Sequence, residues 1–292
     1  MIVLFCYNKF FKSFIKMKTR TLLMTAIFCG ISMIYAFAQS ATLQTKIPTK
    51  TYEQKKAAKE MISSYVNDFK NDSYANEKRI VGVEIPECNG QWTITVTGAK
   101  QNDTWEVTLA EGLPTIPTYV YRIEFSTLEA IFKGEINALT AQGKAFSSDY
   151  TPMSVYEIND YKPSLEEDGK LNSFSFHFWT RGFPEVIPFR PDTTRKAHGS
   201  NFTIFYYEKG LRTAWYNILP GERVRDDAKE QAMPFPMMGI TIKGTIEGEV
   251  DGKRITVSEG NTVFIPPNVQ HKWWNDSEEP VEVILIMFGK GA

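Results

Sequence analysis

Cysteine and histidine are scarce: the 292 residues hold three of each. Cys6 and Cys29 fall in the first 38 residues, so once that leader is removed Cys88 alone remains and no intramolecular disulfide can form. Stability must therefore come from burial. Cys88 lies in the turn-like Pro86-Glu87-Cys88-Asn89-Gly90 with no histidine near it in sequence, and it reads as an incidental thiol. An excess of one charge is also missing, with 33 Lys+Arg against 34 Asp+Glu. Residues 1–38 carry five bases and no acid, which leaves 28 bases against 34 acids for the rest. A mildly acidic body has no electrostatic claim on a nucleic-acid backbone or an anionic membrane surface. Beyond the leader, no run is long and apolar enough to span a bilayer.

The leader itself is informative. Lys18 and Arg20 precede the apolar run TLLMTAIFCGISMIYAFA, which ends in Ala36-Phe37-Ala38. A basic start, an apolar middle and a small–x–small exit describe a secretory signal peptide over 1–38, with cleavage expected before Gln39. Met17 suits such a signal better than Met1. The competing reading is a transmembrane anchor. Export to the periplasm or the medium is the expected destination, with no stable membrane span after cleavage.

The length suits two domains, and 42% hydrophobic residues can fill their cores. Residues 39–50 lack periodicity and read as a mobile leader. Thr51 and Gln54 form a capping-box pattern, followed by Ala58, Met61, Ile62, Tyr65, Val66 and Phe69 at helical spacing, which predicts a helix over 52–70. Strands are predicted at Gln91–Thr97, Thr104–Leu109 and Thr118–Phe125. A second capping box, Ser126 with Glu129, opens a helix bearing Leu128, Ile131 and Phe132, and Ile136–Ala141 continues helically after Gly134. This α+β pattern is assigned to 51–150. The Pro-bearing acidic segment 151–170 reads as a linker. Over 171–292 the runs are strand-like: Phe174–Trp179, Phe202–Glu208, Leu211–Leu219, Met238–Lys243, Thr245–Val250, Lys253–Val257, Thr262–Ile265, His271–Trp274 and Val281–Phe288. Asp251-Gly252 and Lys209-Gly210 are hairpin turns between such runs, and the pattern predicts an all-β jelly roll or small barrel.

The run GNTVFIPPNVQHKWWN, residues 260–275, resembles the second signature of the cupins, a superfamily of small jelly-roll barrels. Gly260, Pro266, His271 and Asn275 stand at the signature's spacing, while Asn268 replaces its internal glycine, a mild change because Asn tolerates a left-handed backbone. The resemblance covers about 171–292 and implies a metal site of three histidines and a glutamate. Counting from Gly244, however, places the expected histidines at Glu230 and Ala232 and the glutamate at Met237; counting from Gly221 offers Asp227 and Lys229. Of His177, His198 and His271, only His271 stands in a ligand position. One imidazole without the carboxylate holds a transition ion weakly, so neither metal nor cofactor is expected. His271, Trp273 and Asn275 share one strand face by the two-residue period, which places His271 and Trp273 as candidate ligand-binding residues inside the barrel.

Residues 105–146, WEVTLAEGLPTIPTYVYRIEFSTLEAIFKGEINALTAQGKAF, resemble the sterol carrier protein domain over about 52–150. That resemblance implies a five-stranded sheet covered by helices around an apolar tunnel, with Phe125, Leu128, Ile131, Phe132, Ile136 and Leu139 as candidate lining residues. Together the two resemblances predict an exported two-module binding protein for small apolar or amphiphilic, lipid-like ligands. The alternative is a metal-independent isomerase or lyase using His271 as general acid/base, assisted by Glu230 or by a tyrosine such as Tyr216. No nucleic-acid partner is expected, and the cupin domain offers a surface through which two copies could pair.

Overall fold

The computed structural model describes residues 49–146, 148–180 and 186–292. The expected signal peptide, its cleavage site and most of the mobile leader lie outside these residues. From Lys50 onward the chain forms one compact unit built around two hydrophobic cores.

The first core opens with helix α1 (Thr49–Phe69), whose Ala58, Ile62, Tyr65, Val66 and Phe69 line one side and are buried. The helix already runs through Thr51, so the expected capping box there does not form. A five-stranded sheet follows in the order β3-β2-β1-β4-β5, made of β1 (Arg79–Ile85), β2 (Gly90–Gln101), β3 (Thr104–Glu111), β4 (Thr118–Ile123) and β5 (Met153–Ile158). Its central pair, β1 and β4, is parallel and the other pairings are antiparallel. Helix α2 (Phe125–Phe132) begins without a side-chain cap of its own; the Phe125 amide donates instead to the Glu87 carboxylate at 3.1 Å, so the Ser126 capping box does not form either. Helix α3 (Ala138–Gln142) is capped by Asn137. Cys88 is buried against the Ile85 carbonyl and burial pushes its thiol pKa up, which suits an unreactive packing residue.

The segment expected as a linker departs from that reading. Met153–Ile158 pairs along its length with β4 and completes the sheet. Helix α4 (Leu165–Phe178) then starts at Ser164, whose hydroxyl accepts from the Glu167 amide, with Glu166, Glu167 and Asp168 stabilising its positive end. The predicted strand Phe174–Trp179 is the end of this helix. Leu171, Phe174 and Phe178 recur at helical spacing, and both phenylalanines pack edge-on against Phe69. That packing, with the cap, overrides the strand preference of an aromatic run.

The second core lies between two sheets. One has six strands in the order β13-β10-β15-β8-β7-β6; the other has four, β12-β11-β14-β9. They comprise β6 (Arg195–Ala197), β7 (Ser200–Glu208), β8 (Leu211–Ile218), β9 (Arg223–Val224), β10 (Met237–Lys243), β11 (Thr245–Val250), β12 (Lys253–Ser258), β13 (Thr262–Ile265), β14 (His271–Trp274) and β15 (Val281–Phe288). Tyr216, Met237 and Val281 from the first sheet meet Val224, Ile246, Val257 and Trp273 from the second. Gly248 faces Trp273 across β11 and β14, and a Cβ there would sit 2.3 Å from the indole, so glycine is what lets the ring lie flat over the strand.

The cores are joined along β7. Past Phe202 this strand has no strand partner on its β6 side among the described residues, and α3 lies there: Thr140 Oγ1 accepts from the Ile204 amide at 2.8 Å and Asn137 Nδ2 donates to the Ile204 carbonyl at 2.6 Å. Arg195 Nη1 donates to the Ala141 and Gly143 carbonyls at 2.7 and 2.8 Å, and Gly143 gives Phe202 room to pack.

The β6–β7 turn is the tightest point of the barrel. His198 and Gly199 both have positive φ, 54° and 87°, as a two-residue mirror turn requires. A Cβ on Gly199 would lie 1.8 Å from the Arg223 carbonyl oxygen. Gly199→Ala is therefore expected to cost at least about 2 kcal/mol from the turn strain and the clash together, read as a lowered denaturant midpoint; an unchanged midpoint would contradict this packing.

Candidate functional site

Strand β14 lays His271 and Trp273 on its inner face, as the two-residue period predicts, and both are buried; Trp274 turns outward and its Nε1 donates to Glu247. Asn275, just past the strand, is a structural residue. Its Nδ2 donates to the Ile218 and Glu279 carbonyls, and its Oδ1 accepts from the Ser277 amide and hydroxyl. Asn268 adopts the left-handed backbone expected of it, with φ 62°.

His271 and Trp273 open onto a cavity between the two sheets, with about 550 Å³ of empty space counting its open mouth. Most of the wall is apolar, including Ile218, Val224, Ile246, Ile265, Val283 and Leu285. Tyr216, Arg225, Thr241 and His271 are the polar side chains on it. His271 Nδ1 donates to the Val269 carbonyl at 2.9 Å, so the proton of the neutral ring sits on Nδ1. Its Nε2 is buried without a hydrogen-bond partner among the described residues. Burial, with the Arg225 charge nearby, lowers the imidazole pKa from 6.5 to about 4. The ring is thus a neutral acceptor at physiological pH. Burial also raises the Tyr216 phenol, which keeps its proton.

Arg225 is the residue that reasoning from sequence missed. It follows β9 with φ 58° and only 6% of its surface is exposed. Its amide donates to the His198 carbonyl at 3.1 Å, and Nη1 donates to the Glu230 carbonyl at 2.7 Å. Among the described residues no carboxylate lies within ion-pair distance of it. Glu230, the candidate acid of the alternative reading, is turned away from the cavity wall: its Oε2 accepts from His198 Nδ1 at 2.6 Å.

The six residues expected to line a tunnel in the first half are packing residues. Leu128 and Ile131 are buried in the first core, Phe125, Phe132 and Ile136 pack against it, and Leu139 is buried as well. None of them borders the barrel cavity or the surface cleft beside Tyr150. The space between helices and sheet is filled by aromatic rings: Tyr65 meets Phe132, Phe178 and Trp179, and Tyr121 meets Phe174 and Trp179. The five-stranded sheet with helices is present; the expected tunnel wall is a filled core.

Two facing antiparallel sheets around such a cavity define a small jelly-roll barrel. The comparisons name its class: residues 215–287 match the family model of the cupin domain, so the chain carries a cupin domain there. Solved structures similar to part of the chain include a protein from Photorhabdus luminescens (15% identity, TM-score 0.33, 36% of this chain and 88% of that one). A Cupin 2 conserved barrel domain protein from Salinispora arenicola is also similar (17%, 0.33, 37% and 91%). A third is a predicted oxalate decarboxylase from Thermotoga maritima (14%, 0.28, 30% and 78%). No curated protein matches the chain.

Cupin barrels imply a metal, and the donors here do not fit one. Among the described residues no three His, Cys, Asp or Glu side chains converge. Met237 lines the cavity where the resemblance places a glutamate, and Ala232, at an expected histidine, is exposed. The Arg225 cation on the same wall repels a divalent ion. Protein isolated without chelator is expected to carry well under one transition ion per chain by elemental analysis; stoichiometric metal that disappears in His271→Ala would overturn this.

The depressed His271 pKa also sets a stability profile. The unfolded chain takes up this proton more readily than the folded one, so the contribution from a neutral ring is complete above about pH 6.5 and is lost as pH falls towards 4. Its full extent is on the order of 3 kcal/mol. His271→Gln, which cannot titrate, is expected to flatten this part of the denaturation profile relative to the unaltered protein; an equal slope in both would refute the assignment.

Proposed function

We propose that the protein binds a small amphiphilic molecule in its cupin barrel, and that the first half serves to support the barrel. The observation that carries this reading is the apolar cavity spanning both sheets, with one buried imidazole nitrogen left without a partner. An apolar wall with a few convergent polar groups is the usual make-up of a ligand site, and a buried acceptor without a donor is costly unless a ligand supplies one. The lipid-like ligand is assigned to the barrel rather than to the first half, because five of the six candidate tunnel residues pack into or against the first core. Export remains part of the proposal, with a mature N-terminus at Gln39.

The competing reading, a metal-independent isomerase or lyase, draws support from Tyr216 and His271 sharing the cavity as a proton holder and a neutral base. Against it, Glu230 is held by His198, and a base with pKa about 4 abstracts protons poorly.

Gly239 on β10 provides the test, since a Cβ there would meet Val263 at 3.3 Å and Val283 at 3.7 Å, both on the cavity wall. Binding of 4-methylpentanamide, a neutral branched probe, is measured by calorimetry. Gly239→Ala is expected to fold and bind, whereas Gly239→Leu is expected to fold and lose the probe by filling the space. Equal binding by Gly239→Leu would refute the barrel site, as would the failure of the unaltered protein to bind both this amide and the corresponding acid, 4-methylpentanoate. Conversion of a bound compound would instead favour the enzyme.

A further inference from the structure

A barrel that binds small amphiphiles leaves open which polar head it takes, and Arg225 decides that. A guanidinium has five N–H donors in a planar fork that matches a carboxylate. Arg225 spends one on the Glu230 carbonyl and lines the cavity, and among the described residues no carboxylate is within ion-pair distance of it. A buried cation of this kind is costly until an anion joins it. The same wall holds an acceptor, His271 Nε2, that lacks a donor. The surrounding surface, including Ile218, Ile246, Ile265 and Trp273, is apolar. The complement of these three features is one molecule with a negative planar head, a donor beside that head and a hydrocarbon body.

We propose that the cavity takes a small organic acid. Its carboxylate pairs with Arg225, a hydroxyl or N–H next to the carboxylate donates to His271 Nε2, and its apolar body fills the space between the sheets. This rests on the barrel being a ligand site, and it gives a reason for the poor fit to a metal: the cavity carries the wrong sign for a cation and the right one for an anion. The charges around the head group are accounted for. Tyr216 keeps its proton, and the Glu230 carboxylate is engaged by His198 outside the cavity wall. The Glu230 charge still reaches Tyr216 on the cavity wall, so it counts against an anion there and the Arg225 charge must outweigh it.

The test uses the full mature chain and three probes of equal skeleton: 2-hydroxy-4-methylpentanoate, its amide, and 4-methylpentanoate without the hydroxyl. The hydroxy acid is expected to bind about tenfold or more tighter than the amide, the range of a charge-assisted hydrogen bond. Arg225→Gln should abolish that preference while the amide still binds. The hydroxy acid should also exceed 4-methylpentanoate, and His271→Phe should remove this second difference while leaving the first. Equal binding of acid and amide by the unaltered protein would overturn the organic-acid assignment and leave the barrel site standing. Binding of no probe would overturn both. If Arg225→Gln fails to fold, the comparison of acid with amide on the unaltered chain decides by itself.

Discussion

Burying the Arg225 guanidinium is the constraint around which the end of the barrel is arranged. A cation under cover of protein needs acceptors close by, and the chain supplies them from its own backbone. Arg225 takes a left-handed conformation after β9, hands its amide to the His198 carbonyl and places Nη1 on the Glu230 carbonyl. The short turn over Ala228–Glu230 then carries the Glu230 side chain back to His198. The Gln231 carbonyl accepts from the His271 amide at 2.8 Å, and the Met233 carbonyl accepts from the Asn268 amide. One loop thereby ties the β6–β7 turn to β14. The close approach of Gly199 to Arg223 follows from the same arrangement, because the turn must sit on β9 for its carbonyl to reach Arg225.

The two halves meet by a related logic. A strand edge with free amides and carbonyls invites pairing with other chains, and β7 is such an edge beyond Phe202. Thr140 and Asn137 satisfy the Ile204 backbone as a neighbouring strand would. Arg195 draws its acceptors from the carbonyls around the end of α3, where a positive charge is favoured. Tyr74 and Tyr206 share Glu208 as an acceptor farther along. Polar attachments along β6 and β7 hold the first half to the barrel, while the segment 151–170 is itself strand and helix rather than tether.

Legibility from sequence followed how local each signal is. The period-two strands β7, β8 and β10 to β15, their Asp251-Gly252 hairpin and the inward set of His271 and Trp273 are all carried by neighbouring residues and are found, whereas the two-residue β9 is too short to show a period. Strand β1 went unread because Gly82 interrupts its apolar run. The reason for that glycine is distant, since a Cβ there would stand 2.8 Å from a Val120 methyl on β4. Strand β5 was obscured by Pro152 and Pro163 on either side of it. Arg225 was invisible for a stronger reason. It sits in Val224-Arg225-Asp226-Asp227, which reads as a solvated turn, and what buries it is a loop partner and a hairpin 27 residues upstream at His198. The helical ending of Phe174–Phe178 likewise depends on Phe69, a residue on another helix.

The cupin domain shows where a fold stops dictating function. The barrel places a histidine at the base of β14 and points one ring nitrogen inward whether or not other ligands accompany it. With further imidazoles and a carboxylate the same nitrogen is one donor in a cation site. Here Met237 removes the carboxylate and Arg225 brings in a positive charge, so the nitrogen stands as a neutral acceptor beside a cation. In a wall this apolar the sign of one buried side chain outweighs the geometry shared with the rest of the family, because charge interactions strengthen as water is removed. The buried cation at position 225 is therefore what makes a bare divalent ion a poor occupant of this cavity.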